Sequence, residues 1–470
     1  MAVEQADLVQ GQQLLAVGSN GQHATSADAA FAKARAKVCR VGAGKACHEK
    51  RAAAMEKAMA LVPLLGELGY EDRRSFNGLL SVTADGGSLI GEAPEISGLW
   101  FAEAVWVKDG PGVGKVVADW MTKGSPEYDP YGIDIARFYP EQKQDDYVFG
   151  RCGEIAKKVY TPAVHPREPF ETGRQLFKSP FYEREVALGG YFMEAAGWER
   201  AHGYAANEPT LLAKYRDQIP QRMNEWDSRH FWEVSNAEQL ALSDDVGMVN
   251  LSHFAIYDID GQSAEPLLEY LAVAKVGGAT QVGKGVYTHF LDEKGGIRAD
   301  LTIVRLSEDC FRVICGGGTG HRDLVWIKQM AAARHADIEI HNRTHQLATL
   351  GLWGPNARKV LASLVDDPNA VSDAKFPFAT AANIEIAGIK IWAFRISYVG
   401  ELGWELYFDF ADGLQLWDLF ADAGVNPVGI ETYANSRRLE KSLRLQNADL
   451  ETDYNLHEAD LARKLVKKAD

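Results

Sequence analysis

The feature that most constrains the fold is a run of short strands and glycine turns in the second half of the chain. VGKGVYTHFLDEKGGIRADLTIVRLSEDCFRVICGGG (282–318) is rich in β-branched and aromatic residues, and it is broken by glycine-rich turns. This pattern predicts several successive strands. Just upstream, MVNLSHFAIYDIDG (248–261) reads as a strand, and SAEPLLEYLAVAKV (263–276) reads as a helix opened by Ser263 with Pro266 in its first turn.

The same alternation continues to the C-terminal part of the chain. HQLATLGLWGPNARKVLASLV (345–365) predicts a strand, a Gly-Pro turn and a helix, and residues 383–410 predict three more strands before a helix near 414–423. Helices and antiparallel strands therefore follow one another without the regular βαβ rhythm of a parallel sheet. The predicted fold class is α+β.

Composition limits the function classes. A chain of 470 residues suggests two to four domains, and 46% hydrophobic with 24% charged residues is the balance of a globular protein. A net charge of −15 argues against nucleic acid or anionic membrane as a partner, and no apolar run is long enough to span a bilayer, so we expect a cytoplasmic protein. The five scattered cysteines predict reduced thiols, and Cys39, Cys47 and His48 lack the second pair of ligands that a zinc site needs; no metal is predicted.

The upstream half of the chain has a different pattern of predicted helices and strands. Residues 30–62 predict helix, 76–94 two short strands around a glycine-rich turn, and 98–107 a buried strand. DGPGVGK (109–115) then predicts a glycine loop before a helix at 116–124. Gly110, Gly112 and Gly114 could let backbone N–H groups approach a phosphate or a flat ring, but their spacing is not G-x-G-x-x-G, and a structural turn is the more frequent origin of such a pattern.

Two clusters in the second half carry side chains suited to chemistry. DEKGGIRADLT (292–302) presents Asp300 beside apolar residues, where a carboxylate either caps a turn or steadies a cationic amine and takes up a proton. RISYVGELGWELYF (395–408) contains Tyr398 and, within an apolar run, Glu405, whose carboxylate could accept two N–H groups from an amidine-like ring edge. From the pattern alone, a solvated strand face is slightly favoured for Glu405.

GGIRADLTIVRL, LGLWGPNARKVL, RISYVGELGWELYF and ANSRRLEKSLRLQNADL, in this order, closely resemble the aminomethyltransferase (T-protein) family of the glycine cleavage system. Upstream, TADGGSLIGEAPEISGLWFAEAVWVKDGPGVGKVVADWM and GGYFMEAAGWER are similar to the end of the flavin domain and the central domain of dimethylglycine and sarcosine dehydrogenases. The resemblance implies a T-protein-like folate-binding module preceded by an antiparallel-sheet central domain and an incomplete FAD-oxidoreductase lobe.

This resemblance also implies domain limits. It predicts a helical or irregular extension at 1–60, the end of an FAD-dependent oxidoreductase domain at 61–140, its central domain at 141–215 and the folate-binding domain at 216–470 without its C-terminal barrel.

The resemblance assigns roles to individual residues. Asp300 is implied to lie beside the reactive nitrogens of tetrahydrofolate and Tyr398 near the transferred carbon, both as catalytic residues. Glu405 is implied to accept the pterin edge, with Tyr287 and Ile314 also in the folate site, and Gly110, Gly112 and Gly114 to remain from a flavin loop.

The implied activity is capture of the one-carbon unit of a small N-methyl amine as 5,10-methylenetetrahydrofolate, with FAD bound only if a further domain or a partner chain completes its site. Asn250 stands where the T-protein family usually has Asp.

Alternatives remain open at this stage. The chain could be one subunit of a split FAD oxidoreductase, with its partner docking on residues 76–140, or a non-catalytic folate-binding fragment. It could also be a folate-dependent O- or S-demethylase, which would place different demands on the region of His253, Tyr287 and His289; each of these three is more often a core or surface residue.

Overall fold

The computed structural model describes residues 39–42, 55–56, 58–68, 79–158, 168–223, 230–277 and 281–462. Most of the predicted extension at 1–60, with Cys47 and His48, lies outside these residues. The chain divides into two compact units: unit 1 runs to Pro126 and includes Gly132–Ala136 and Pro140–Gly173, and unit 2 comprises Glu127–Tyr131, Arg137–Tyr139 and Arg174 onwards. The limits of the four segments expected from the sequence stay predictions.

Within the described residues, unit 1 contains two small antiparallel sheets and several helical segments. Strand β1 (Cys39–Gly42) pairs with β2 (Leu79–Val82), and β3 (Leu89–Glu92) pairs with β4 (Trp100–Glu103). The described helices include α1 (Leu64–Leu68), α2 (Gly110–Lys123) and α3 (Asp145–Lys158). The two strands expected around a glycine-rich turn are confirmed, whereas the helix expected across 30–62 is wrong at β1.

The glycine loop expected at 109–115 is also wrong. Helix α2 begins at Gly110, with Pro111 in its first turn, so Gly110, Gly112 and Gly114 lie inside a helix. Proline is well tolerated in a first turn because that turn's N–H groups have no intrahelical acceptor. A Cβ added at any of the three glycines would meet no described atom within 4 Å, so close packing within unit 1 does not require glycine there.

Unit 2 is larger and carries most of the regular structure. Its helices are α4 (Tyr182–Ala187), α5 (Ala213–Tyr215), α6 (Trp232–Asp244), α7 (Ala264–Leu271), α8 (Gly320–Ala333), α9 (Ala357–Leu364), α10 (Gly413–Asp422) and α11 (Arg438–Glu440). Its strands are β5 (Gly190–Ala195), β6 (Trp198–Tyr204), β7 (Gly247–Asn250), β8 (Ala255–Asp260), β9 (Gly285–Leu291), β10 (Ile297–Arg305), β11 (Cys310–Cys315), β12 (Glu339–Asn342), β13 (Leu347–Trp353), β14 (Ala381–Ile386), β15 (Ile389–Phe394), β16 (Gly403–Asp409) and β17 (Asn426–Pro427).

These strands form two large sheets and one hairpin. One sheet has the order β12-β8-β11-β10-β9, the other has the order β14-β15-β16-β13-β7-β17, and β5 pairs with β6. Pairing is antiparallel except between β17 and β7. The helices and strands expected from the second half are confirmed with one exception: residues 248–261 were expected to be a single strand, but they form β7 and β8, which belong to different sheets.

One face of each large sheet packs against a layer of helices. In the five-stranded sheet, Leu301 and Ile303 pack with α7 and α8 residues such as Leu268 and Ile327. In the six-stranded sheet, alternate residues of β16 pack against α9 and α10.

The opposite faces of the two sheets meet each other. Ile256, Val304 and Ile314 of the first sheet pack there against Phe394 and Tyr407 of the second. Side chains alternate along a strand. The immediate sequence neighbours of the residues that face the helices therefore point into the space between the two sheets. No helix within the described residues has the length and apolar character needed to cross a membrane.

Candidate functional site

Asp300 lies on the inner face of the five-stranded sheet. Its strand neighbour Leu301 faces the helices, so alternation turns Asp300 toward the six-stranded sheet. Asp300 pairs in register with His289 of β9, and Tyr287 lies two residues along the same face. The Tyr287 hydroxyl lies 3.2 Å from Nε2 of His289 and is close enough to Asp300 to form a hydrogen bond with it.

Burial determines whether Asp300 and His289 are charged near neutral pH. It raises the pKa of Asp300 from 3.8 to about 7, the hydrogen bond from Tyr287 lowers this pKa, and the nearby Asp323 carboxylate raises it. Burial lowers the pKa of His289 to about 4, so its imidazole is neutral at pH 7. Asp300 is therefore the group on this face that can gain or lose a proton near neutral pH.

Glu405 lies on β16 of the six-stranded sheet, across from Asp300 and His289. Trp404 and Leu406 face the helical layer, which leaves Glu405 and Tyr407 on the inner face. Glu405 is 6% exposed, so the solvated strand face favoured from the pattern is wrong. The Tyr407 hydroxyl donates a 2.6 Å hydrogen bond to Oε2 of Glu405. Burial raises the pKa of Glu405 to about 7, and this hydrogen bond opposes the rise.

Tyrosines connect the two carboxylates. Tyr398 lies between β15 and β16 and donates a 2.5 Å hydrogen bond to the carbonyl oxygen of Arg444. Its ring centroid lies 5.2 Å from that of the buried Tyr433. Burial raises the pKa of Tyr433 well above its ordinary value, and the negative charges of Glu405 and Asp300 add to this effect, with a contribution from Tyr398 between them. Asp300, Tyr398 and Glu405, widely separated in sequence, thus converge around Tyr433.

Aromatic and apolar side chains complete the lining of this site. The Trp353 ring stacks on Tyr433 with centroids 5.4 Å apart, and it covers Gly351, which lies opposite Glu405 in the sheet. A Cβ at Gly351 would fall 2.0 Å from the Trp353 ring, so glycine is needed for this arrangement. Ile314 is buried in the same inter-sheet cluster as Tyr407.

The structure therefore brings together five of the eight residues selected from the sequence: Tyr287, Asp300, Ile314, Tyr398 and Glu405. Gly110, Gly112 and Gly114 belong to unit 1. Sequence reasoning missed Tyr407, Trp353 and Tyr433. The signal for Tyr407 was available, because it follows Glu405 by two residues and shares its face.

Family comparison agrees with this architecture. Residues 181–469 match the model of the GCVT N-terminal domain, which is more than half of the chain. The chain belongs to this T-protein family. Residues 123–179 match the FAD dependent oxidoreductase central domain, so the resemblance of the upstream segment to amine oxidoreductases is also confirmed. The mixed helices and antiparallel sheets confirm the α+β class.

Three relatives are similar to this chain over most of its length. 4-Methylaminobutanoate oxidase (formaldehyde-forming) of Paenarthrobacter nicotinovorans is 32% identical, with 84% of this chain and 46% of the relative aligned. Mitochondrial dimethylglycine dehydrogenase of Homo sapiens is 31% identical, with 88% and 47% aligned. Mitochondrial sarcosine dehydrogenase of Mus musculus is 28% identical, with 87% and 47% aligned. The chain spans about half the length of the relatives it matches, all three of which are enzymes.

Proposed function

We propose that unit 2 binds tetrahydrofolate between its two large sheets and transfers to it the one-carbon unit of an N-methyl amine, forming 5,10-methylenetetrahydrofolate. The observation that carries this proposal is the convergence of two buried carboxyl groups, Asp300 and Glu405, around the Tyr398–Tyr433 pair. The names of the relatives, which specify methylated amino acids, support the substrate class.

The residues present fit a reduced pterin. Glu405 offers a carboxylate in a buried position, where parallel N–H donors on a ring edge would gain most from it. Tyr287, Tyr398 and Ile314 offer flat or apolar surface for the ring system. Tetrahydrofolate would supply the amine nitrogens that accept the carbon.

Asp300 carries the proton chemistry in this proposal. Transfer of a carbon at the iminium level to two secondary amines forms two C–N bonds, breaks the bond to the donor nitrogen and frees two protons. One proton leaves with the donor amine. A carboxyl group with a pKa of about 7 can accept the other near neutral pH, and as a carboxylate it stabilises positive charge on the incoming carbon.

Oxidation of the amine is assigned in this proposal to FAD held by a further domain or by a partner chain. Gly110, Gly112 and Gly114 form the start of helix α2 and do not fit the flavin loop expected of them, so no FAD chemistry is assigned to them. The FAD-binding partner and the cytoplasmic location stay predictions.

Calorimetry with tetrahydrofolate under anaerobic, reducing conditions tests the binding step. Glu405→Ala is expected to weaken binding by about 1–3 kcal/mol, the loss for a buried charged hydrogen-bond partner. Arg184→Met is a matched control, because Arg184 is an exposed unit 2 residue paired with Asp418. No binding by folded wild-type chain would contradict the proposal for this chain.

A second experiment tests the role of Asp300. Asp300→Asn should bind tetrahydrofolate but lose the acceleration of its condensation with dilute formaldehyde, followed by stopped-flow absorbance. Equal acceleration by variant and wild type would support a non-catalytic folate-binding function instead.

A further inference from the structure

Arg200 of unit 2 is a half-buried arginine. It lies on β6, and its Nε atom is buried without a hydrogen-bond partner among the residues that the structure describes. By contrast, Arg312 makes two bonds of 2.8 and 2.9 Å to Asp258, and Arg174 pairs with Glu199 at 2.5 Å. Nε of Arg437 is also buried without a partner among the described residues, but the other two nitrogens of Arg437 pair with Glu401 and Glu440.

A buried guanidinium nitrogen without a hydrogen-bond acceptor is unfavourable for the fold. Removing a charged group from water costs several kcal/mol unless hydrogen bonds replace its hydration. Burial accordingly lowers the pKa of Arg200, although Glu194, Tyr131 and Glu431 attract its charge. The presence of arginine at this position is therefore better explained by a ligand than by stability.

A second polar side chain lies close enough to Arg200 for its pKa to respond to the charge of Arg200. The pKa of His253 is lowered well below its ordinary value, first by burial and then by the positive charges of Arg200 and His202. His253 is therefore neutral and offers an N–H donor and a nitrogen acceptor beside the guanidinium group.

Negative charge lies on one side of this pair. Oε2 of Glu431 lies 3.3 Å from Nδ1 of His202, and Asn435 donates a 2.9 Å hydrogen bond to the same oxygen. Because Arg200 and His202 are two residues apart on β6, they share a face of the hairpin. The cluster thus combines one permanent cation, a neutral imidazole and the carboxylates of Glu194 and Glu431.

This cluster adjoins the candidate folate site. His253 is followed by Phe254, and their ring centroids lie 5.6 Å apart. The Phe254 ring in turn lies 6.4 Å from that of Tyr433, which contacts Tyr398. Phe254 therefore forms a wall shared by the two sites.

We infer that Arg200 and His253 form a binding subsite for the carboxylate of a small amino acid, which is the methyl donor or the demethylated amine. This inference rests on the proposed function, because it names the ligand beside the folate. A guanidinium group binds a carboxylate through two parallel N–H bonds. The charges of Glu194 and Glu431, which act on Arg200, would attract the amine of the same ligand and would disfavour a dianionic phosphate.

The first test compares ligands on the wild-type full chain. Sarcosine and methylamine both carry the N-methyl amine, but only sarcosine carries the carboxylate. Ligand-observed NMR titration of the N-methyl protons should show sarcosine binding about 10- to 100-fold tighter than methylamine, the contribution of one charge-assisted bidentate pair. Equal binding of the two amines would overturn the inference.

Variants locate the subsite. Arg200→Met should lose the preference for sarcosine while its melting temperature stays equal to or above that of wild type, because the variant lacks the buried Nε–H group that has no acceptor. His253→Gln should weaken sarcosine binding several-fold, and Arg184→Met should leave it unchanged. Undiminished sarcosine binding in both the Arg200 and His253 variants would also overturn the inference. If Arg200→Met does not fold, His253→Gln and the comparison of ligands on the wild-type chain test the inference.

Tetrahydrofolate binding separates this inference from the proposed function. Arg200→Met should retain tetrahydrofolate binding, and Glu405→Ala should retain sarcosine binding. Wild-type chain that binds sarcosine through its carboxylate but does not bind tetrahydrofolate would refute the proposed function alone. The reverse result would refute the carboxylate subsite alone.

Discussion

The hydrogen bond from Tyr407 to Glu405 should set the pH dependence of folate binding. Tyr407→Phe removes only the hydroxyl, which donates to Glu405 at 2.6 Å in a buried position. A hydrogen bond to a charged group contributes about 1.5–3 kcal/mol, and one pKa unit corresponds to about 1.36 kcal/mol. The pKa of Glu405, about 7 in the wild type, should therefore rise by about one to two units in the variant.

The effect on affinity follows from the ionised fraction. At pH 7 about half of the Glu405 side chains are ionised in the wild type, against about one tenth to one hundredth in the variant. If the pterin edge requires the carboxylate, Tyr407→Phe should bind tetrahydrofolate about 5- to 50-fold more weakly at pH 7. Its affinity should recover as the pH rises through the new pKa, because the carboxylate then forms again.

Anaerobic calorimetry from pH 6 to 9.5 measures this profile. Tyr257→Phe is a suitable control, because Tyr257 is also buried in unit 2 and donates a 2.9 Å hydrogen bond to the carbonyl oxygen of Gly320. The control should keep the wild-type profile. A Tyr407→Phe profile that is superimposable on that of the wild type would refute the assignment of Glu405 to the pterin edge.

Three further predictions concern buried charges in unit 2. Asn250 donates a 2.9 Å hydrogen bond to Glu185, so Asn250→Asp should place two carboxylates in contact and destabilise the fold by about 1–3 kcal/mol at pH 8 in urea unfolding; an unchanged midpoint would contradict this. The pKa of Glu185 is raised from 4.5 to about 7, so its stabilising effect, about 3 kcal/mol, is complete below pH 4.5 and lost as the pH rises through 7. Glu185→Gln should flatten the wild-type decline in stability between pH 5 and 8, and parallel curves would exclude this cause. Arg437→Met should cost about 1–3 kcal/mol by removing the buried donor of Glu401, which then keeps only Lys441 at 3.5 Å, in contrast to Arg200→Met; equal unfolding midpoints for the two variants would be the contrary result.

The sequence could predict which local elements form and which residues share a strand face. Apolar alternation around Trp404 and Leu406 is sufficient to place Glu405 and Tyr407 together on the other face of β16. It could not decide whether that face is solvated, because exposure depends on a second sheet that is remote in sequence. The T-protein resemblance supplied the roles of Asp300 and Glu405, which the residue pattern left open.

Local signals also failed where two conformations were compatible with them. The glycines at 110, 112 and 114 suggested a loop, yet Pro111 allows a helix to begin there, and α2 forms. Residues 248–261 have continuous strand character, but a turn after Asn250 separates β7 and β8 into different sheets. Strand propensity is a property of neighbouring residues, whereas sheet membership depends on partners far away in the chain.

Tertiary structure alone decided which residues meet at the site. Tyr433 carries no sequence signal for function, but the pairing of β13 with β16 and the packing of the sheets place it among Trp353, Tyr398 and Glu405. Likewise, only the three-dimensional structure shows that Nε of Arg200 is buried without a hydrogen-bond partner among the described residues. Sequence spacing determines which face of a strand each side chain lies on, because side chains alternate with a fixed period. Burial, and with it the pKa of each carboxyl group, arises only when distant elements remove water from around it.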